Sequence, residues 1–249
     1  MDKHELKAIV KEIILERGEK KETDYRQPLV GVASASDPLF MRIKGLIDPD
    51  YRLPEDLLRG ASSVLAYFIP FAPRIPHSNR EKVSYQWALA YQETNTLIGE
   101  VNTDLMDLLK ERGINSASEA ATHNFDQEKL ISLWSHKHTA LVAGLGSFGH
   151  HQMLITERGC AGRFGSLVLD LNLEADERSD TEYCLHMAGK ECRVCIDRCP
   201  VGALTEDGLD KAACYRYCQE NDHYYSQLEA TDVCGMCATG PCALDLDDQ

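Results

Sequence analysis

Apolar residues recur with two different spacings along residues 1–173, which predicts a mixture of helices and strands. Between Leu6 and Ile14 they return every three or four positions, as on one face of a helix over residues 4–17. The continuous apolar runs at 29–34 and 62–70 are bounded by polar or proline residues, as buried strands are. This part of the chain is therefore predicted to be an α/β domain.

The same two spacings predict the remaining elements. Short helices are expected at 38–46 and from Pro54, and a long helix runs from about residue 82 to a stop at Gly113. Further strands are predicted at 114–120, 138–144, 153–156 and 164–173, with a helical turn at 127–134. An acidic linker at 174–182 then leads into cysteine-rich loops. The pattern divides the chain into a domain at 1–173 and a smaller domain at 174–249.

All ten cysteines lie within the last 90 residues, and their spacing is that of an iron–sulfur protein. Cys192, Cys195 and Cys199 form C-x2-C-x3-C followed by Pro200, the second half of a bacterial ferredoxin motif in which the last cysteine binds the other cluster. This interleaving predicts two [4Fe-4S] clusters. Their ligands are Cys184, Cys192, Cys195 and Cys242 for the first cluster, and Cys199, Cys214, Cys234 and Cys237 for the second.

Three alternatives to this assignment stay open. Cys218 lies four residues after Cys214, on the same face of a helix, and competes with it as a ligand. A single cluster with spare thiols is the second alternative. The third is one zinc ion held by four thiolates of the two C-x2-C pairs, which would leave cysteines such as Cys184 and Cys242 without a role.

Composition and charge restrict the cellular location and the partners that we expect. No run of 18 apolar residues and no signal peptide are visible, so we expect no membrane span and a cytoplasmic location where thiols stay reduced. The formal charge is -14, and residues 174–249 hold 17 Asp/Glu against 6 Lys/Arg. Such a balance argues against binding nucleic acid. The acidic part is either a solubilising surface or a docking face for a basic electron partner.

Gly144, Gly146 and Gly149 form G-x-G-x-x-G, which invites comparison with dinucleotide-binding proteins. The comparison fails because residues 150–156 lead into an apolar strand and not into the helix that such a motif opens. A turn whose backbone geometry needs glycine is the simplest interpretation.

Three stretches carry a resemblance to a known family. TALVAGLGSFGHHQMLI, GRFGSLVLDLNL and CRVCIDRCPVGAL, in this order, are similar to epoxyqueuosine reductases and the related reductive dehalogenases. The resemblance implies a nitroreductase-like α/β domain that binds cobalamin, followed by a two-cluster, ferredoxin-like α+β domain that feeds electrons to cobalt. It also implies that Gly144, Leu145, Gly146 and Gly149 approach the corrin, with His150 where the family often has lysine.

The chain departs from this family in three ways. Tyr91-Gln92 stands where the family commonly has an Asp-Tyr-His element. The Asp-Ser-x-Pro motif of the proposed acid is absent, and Asp126 is nearby but out of context. The sequence ends seven residues after Cys242, so the C-terminal helical repeat domain of the tRNA-acting reductases is expected to be missing. We therefore expect no action on tRNA.

The histidines around the glycine loop are candidates for an axial cobalt ligand or a proton donor, although surface or hydrogen-bonded loop roles are the simpler interpretation. They are His136, His138, His150 and His151. Cys160 is interpreted as a packed small residue. We predict a cytoplasmic iron–sulfur oxidoreductase that binds a corrinoid and takes electrons from a low-potential donor. The alternative is an electron carrier or activase that reduces a separate corrinoid protein. The catalytic residues are unknown at this stage.

Overall fold

The computed structural model describes residues 1–122, 124–222, 224–229 and 231–245. The helices are α1 Lys3–Gly18, α2 Pro38–Ile47, α3 Pro54–Leu57, α4 Arg74–Ser78, α5 Tyr85–Glu111, α6 His136–Val142, α7 Val194–Asp197 and α8 Lys211–Asn221. The strands are β1 Leu29–Ser34, β2 Ser63–Pro70, β3 Ser116–Ala117, β4 Phe125–Asp126, β5 Ile131–Ser132, β6 Gly146–Phe148, β7 Leu154–Thr156, β8 Gly162–Leu169, β9 Leu204–Thr205 and β10 Gly208–Leu209. Two 3₁₀ turns follow at Met236–Ala238 and Pro241–Ala243. The chain is thus a mixed α/β protein, as predicted.

A four-stranded antiparallel sheet forms the centre, in the order β1-β2-β8-β3. Strands β2 and β8 pair along their full lengths, from Ser63 opposite Leu169 to Pro70 opposite Gly162. Every residue of β2 is buried. This explains why its sequence is a continuous apolar run, because both faces of the strand are covered.

Alternate residues of β2 enter two separate hydrophobic cores. Leu65, Tyr67 and Ile69 pack with α1 and α5 on one face of the sheet. Val64, Ala66 and Phe68 pack with α2 and α6 on the other face. Each such large side chain contributes about 1.5–3 kcal/mol when it is fully buried. Because both of its faces are buried, this sheet supports the loops and helices that line the cysteine-rich part.

Two sequence-based elements are wrong. The predicted strand at 138–144 is part of helix α6, whose N-cap Ser135 accepts a hydrogen bond from the backbone N–H of His138. Its residues Thr139, Ala140 and Val142 are buried, and a short buried helix has the same apolar character as a buried strand. The predicted helical turn at 127–134 is a small hairpin in which β4 pairs with β5.

The cysteine-rich part is built from short elements that pack against the first part of the chain. A third core joins Phe71 and Trp87 of the first part to Met236, Ala238 and Leu244 of the second. The boundary at residue 174 remains a prediction. Within the described ranges, no helix combines the length and apolar character that a membrane crossing needs.

Close backbone contacts attach the end of the described chain to the β7–β8 turn. The backbone N–H of Cys160 donates to the carbonyl of Cys242 at 2.9 Å, and that of Ala161 donates to Ala243 at 3.0 Å. A Cβ at Gly159 would lie 2.3 Å from the carbonyl oxygen of Ala243, so only glycine allows this approach. Nearby, Asp245 forms salt bridges with Arg26 and Arg158.

Candidate functional site

The ten cysteines are all free thiols in the described structure. Those of the second part lie on short, separate pieces of backbone, which include the loop before α7, helix α8 and the two 3₁₀ turns. Only Cys184 among them is buried, and the other eight are half-buried. Unpaired thiols from several short segments form a donor set for a metal or cluster.

The first predicted ligand set is supported by the electrostatics of Cys195. Burial raises the pKa of Cys195 to about 11, and the neighbouring charges of Cys242, Cys184 and Cys192 add to the rise. These are the three other members of the set. The residue that is most distant in sequence, Cys242, is therefore near the motif cysteines in space.

The second predicted set is supported in the same way by Cys237. Burial raises its pKa to about 12, and the charges of Cys234, Cys214, Cys195 and Cys199 contribute further. Three of those four belong to the predicted set, and Cys195 belongs to the neighbouring one. The two sets therefore adjoin each other, as in an interleaved two-cluster protein.

Cys214 and Cys218 form a hydrogen-bonded pair on one face of α8. Their interaction lowers the pKa of Cys214 to about 7, while it raises that of Cys218 together with burial. The direction favours Cys214 as the thiolate. Both thiols are near Cys234, whose charge adds to the raised pKa of Cys218. The geometry places both candidates at the second set, and the choice between them stays open.

Two cavities lie side by side at these cysteines. The first has a volume of about 280 Å³. Its lining includes Cys199, Cys214, Cys218, Cys234 and Cys237, which are the predicted second set together with its rival thiol. The first cavity is thus where the described thiols would surround a second cluster.

The second cavity has a volume of about 540 Å³ and lies between the hairpin region of the first part and helix α8 of the second. Cys214 and Cys218 line both cavities, so the second set borders the larger space directly. The remaining wall is mainly apolar and aromatic: Ile47, Phe125, Leu130, Ile131, Phe148, Leu209 and Tyr215. The volume is that of a small-molecule site, roughly 300–1,000 Å³.

The charged side chains in the wall of the larger cavity are both lysines. Lys137 is half-buried and donates a hydrogen bond to the carbonyl of Gln152 at 2.9 Å, and Lys211 is the first residue of α8. Burial, together with the charges of both lysines, lowers the pKa of His138 to about 4. No Asp or Glu contributes to this wall within the part of the chain that the structure describes. In a chain of net charge -14 this is a locally positive cavity.

Most residues of the predicted corrin-binding loop have other contacts. A Cβ on Gly144 would meet the carbonyl of Glu177 at 2.7 Å, and one on Gly146 would meet that of Ile155 at 2.0 Å. Leu145 packs against the core beneath α6. Of the loop residues, Gly149 lines the larger cavity, while the ring Nε2 of His150 lies 2.8 Å from the carbonyl oxygen of Thr205. The corrin-binding role of this loop stays a prediction.

The other histidines differ in their surroundings. His136 is buried between the hydroxyl of Ser166 and the carbonyl of Ala120, and burial lowers its pKa to about 4. His138 is half-buried in the wall of the larger cavity. Sequence reasoning named both without distinguishing them, and it could not have found Lys137, because no motif marks a residue that reaches a cavity from a helix.

Asp126, the nearest candidate for the missing acid, caps a turn. Its Oδ1 accepts hydrogen bonds from the backbone N–H groups of Glu128 and Lys129, each at 2.9 Å. It is absent from the described wall of the larger cavity. The contacts give it a structural role.

A search of protein-family models gives no match. Among curated proteins, the epoxyqueuosine reductase of Leadbetterella byssophila is 30% identical over 174 residues, which cover 68% of this chain and 52% of the relative. The alignment therefore spans about half the length of that protein.

Solved structures show the same fold. An epoxyqueuosine reductase crystallised with a modified tRNA-Tyr stem loop superposes with a TM-score of 0.59 at 18% identity, over 95% of this chain and 64% of that one. The enzyme from Bacillus subtilis gives a TM-score of 0.57 at 18% identity, with the same coverage. A catabolic reductive dehalogenase gives 0.56 at 16% identity, over 82% of this chain and 28% of that one.

Proposed function

We propose that this chain, which belongs to the epoxyqueuosine reductase family, is an iron–sulfur oxidoreductase. In this proposal it holds two [4Fe-4S] clusters and reduces a corrinoid. In this proposal the first part is a nitroreductase-like domain, and the second is a ferredoxin-like domain. The observation that carries the proposal is the position of Cys214 and Cys218, which line both the thiol-rich cavity and the larger cavity. A one-electron centre at the second set would border the space where a ligand binds.

The residues present fit this role. The proposal groups eight thiols into two adjoining sets of four, the donor set of two cubanes, and it is supported by the mutual charge effects on Cys195 and Cys237. When bound, the clusters would supply single electrons at low potential, and a corrinoid would supply the cobalt centre that receives them. The protein's own contribution is placement, together with the apolar and aromatic side chains that line part of the larger cavity.

A half-buried network lies at the thiol-rich cavity. The hydroxyl of Tyr91 contacts Thr122 Oγ1 and Asp232 Oδ1, each at 3.0 Å, and the Arg163 guanidinium lies 4.6 Å from the centre of the Tyr91 ring. Tyr91 and Arg163 line the cavity from the first part of the chain, and Asp232 lines it from the loop before Cys234. They fix the position of one part relative to the other, which electron transfer between fixed centres requires.

The proposal includes a low-potential electron donor that docks on the acidic second part, and a cytoplasmic location in which the thiols stay reduced. It excludes tRNA as a substrate, because residues 174–249 carry 17 acidic against 6 basic side chains.

Cobalamin binding tests the function. Protein reconstituted without oxygen should retain cobalamin through gel filtration at one molecule per chain, and a reductant should change the cobalt spectrum. Ile47→Trp narrows the larger cavity at an exposed wall residue and should weaken retention. Leu46→Trp is the matched control, because Leu46 is 75% exposed and does not contribute to that wall. Equal retention by the two variants would contradict the assigned site.

A second candidate function is supported by the absence of an acid in the described wall of the larger cavity. In this case the chain is an electron carrier that reduces the cobalt of a separate corrinoid protein and converts no substrate itself. Failure to retain free cobalamin, together with rapid reduction of a corrinoid protein, would support the carrier over the first proposal.

A further inference from the structure

Three side chains converge where the end of the described chain meets the β7–β8 turn. His151 Nε2 lies 3.2 Å from Cys242 Sγ, and Cys160 Sγ lies 3.9 Å from the same sulfur. His151 is 5% exposed and Cys160 is 1% exposed. His151 and Cys160 also line the thiol-rich cavity of the second set. They therefore contact a ligand of the first set from the side that faces the second.

The hydrogen bonding of His151 fixes which ring nitrogen carries the proton. The backbone N–H of Met153 donates to His151 Nδ1 at 3.1 Å, so Nδ1 is the acceptor. In a neutral imidazole the other nitrogen then bears the hydrogen. Nε2–H points to Cys242 Sγ at 3.2 Å, a short distance for a bond to sulfur. His151 is thus an N–H donor to this cysteine.

The backbone holds this contact in place. Cys160 and Ala161 donate to the carbonyls of Cys242 and Ala243, and Gly159 permits the close approach of the two segments. The bond from Met153 fixes the ring at its other nitrogen. Backbone contacts therefore hold both the donor and the sulfur in position.

From this geometry we propose that His151 is a positioning residue that raises the reduction potential of the first cluster through an N–H···S hydrogen bond to Cys242. The inference rests on the proposed function, since it requires the first cluster. A cluster gains negative charge when it is reduced, and a donor to a ligand sulfur stabilises that charge. His151 would thus set the difference in potential between the two clusters.

The same three residues can be arranged differently around a metal ion, because their ligand atoms all lie within 4.8 Å of one another. A zinc ion held by His151, Cys160 and Cys242 would use the distal thiolate of the first set and prevent that cluster from forming. Metal analysis distinguishes the two arrangements, since zinc in place of one cluster's iron would overturn the inference.

Two amide substitutions separate the roles of the two ring nitrogens. The amide oxygen of His151→Asn can replace Nδ1 and accept from Met153, but the shorter side chain has no donor at the position of Nε2. The amide nitrogen of His151→Gln can reach the position of Nε2 and donate to Cys242. The pair therefore removes or retains the sulfur bond at the same site.

The experiment is a potentiometric titration of the reconstituted full chain, followed by electron paramagnetic resonance. The signal of the first cluster is identified by its loss in Cys192→Ser. For His151→Asn we expect a roughly tenfold less favourable one-electron reduction of the first cluster, equivalent to a 59 mV fall, with the second cluster unchanged. His151→Gln should keep the wild-type value.

Two results would overturn the inference: an unchanged first potential in His151→Asn, or equal falls in both variants. If His151→Asn does not assemble the first cluster, the contact is tested instead in wild-type protein labelled with ¹⁵N-histidine. The reduced first cluster should then show a nitrogen hyperfine coupling that His151→Gln removes, and its absence would reject the contact. If wild-type protein binds no cluster, the proposed function itself fails, which is a distinct outcome.

Discussion

The central sheet and the cysteine-rich part are stabilised in different ways. Strand β2 is buried along its whole length and pairs with β1 and β8, so hydrophobic burial and backbone hydrogen bonds suffice to hold it. The elements that carry the predicted cluster ligands are mostly short, and eight of the nine cysteines in residues 174–249 are half-buried. Apart from the third core at Met236, Ala238 and Leu244, these segments have little of the continuous apolar burial that orders β2. From this comparison we expect the first part to be ordered without any cluster and the second part to depend on what its thiols bind.

Removal of iron should give the largest effect. In protein treated with a chelator, we expect amide protons between residues 184 and 221 to lose their protection from exchange. Those of Ser63–Pro70 and Gly162–Leu169 should stay protected, because they belong to the packed sheet. Hydrogen–deuterium exchange with mass spectrometry measures both. Equal loss of protection in the two parts would show that the sheet also depends on the clusters.

Leu65→Ala should destabilise the central sheet, which we expect to be unaffected by removal of iron. Leu65 is fully buried in the sheet's first core, so the cavity left behind should lower the free energy of unfolding by about 2–5 kcal/mol. Denaturant titration of the cluster-free protein measures this change. Met41 is 58% exposed on α2, and Met41→Ala should stay within about 0.5 kcal/mol of wild type. A small effect at Leu65 would contradict the role of the sheet as the support.

The pH dependence of the first part should reflect His136. Its pKa is lowered to about 4 by burial, so the folded state stays neutral while the unfolded histidine takes up a proton near pH 6.5. Stability is therefore complete above pH 6.5 and is lost as the pH falls towards 4, by about 3 kcal/mol at most. His136→Gln should flatten this part of the curve of unfolding free energy against pH. An unchanged slope would mean that another group titrates.

The smallest effect is expected where the two parts meet. Tyr91 in α5 contacts Asp232 and Thr122 through its hydroxyl, so Tyr91→Phe should lower the free energy of unfolding by about 1 kcal/mol. Tyr224 is 58% exposed, and Tyr224→Phe should change it by less than about 0.5 kcal/mol. Thermal unfolding of the two variants side by side makes the comparison. Equal stabilities of the two variants would show that the Tyr91 hydroxyl does not help to join the two parts.

The sequence predicted local features where one physical effect dominates. The apolar runs of β1 and β2 and the long α5 were recognised, since burial and periodicity determine them. The two cysteine sets rest on spacing and stay a prediction, although the charge of Cys242 contributes to the raised pKa of Cys195 as that prediction expects. The predicted strand at 138–144 was wrong, because a short, largely buried helix such as α6 lacks a clear amphipathic period.

Features that depend on distant segments could not be predicted. The contact of His151 with Cys242 joins residues 91 positions apart. The positive cavity needs Lys137 from α6 and Lys211 from α8, which no motif connects. Tertiary packing also accounts for Gly146, whose place in the β6–β7 pair excludes a side chain, although the glycine motif suggested a ligand contact.

The central claim is that eight thiols bind two four-iron clusters, and quantitative Mössbauer spectroscopy tests it most directly. Protein reconstituted without oxygen with ⁵⁷Fe should contain about eight iron atoms per chain, all in [4Fe-4S] clusters. Cys234→Ser should lose about half of this iron, and comparison of Cys214→Ser with Cys218→Ser identifies the remaining ligand of the second set. Iron in mononuclear sites, or zinc bound in its place, would contradict the account.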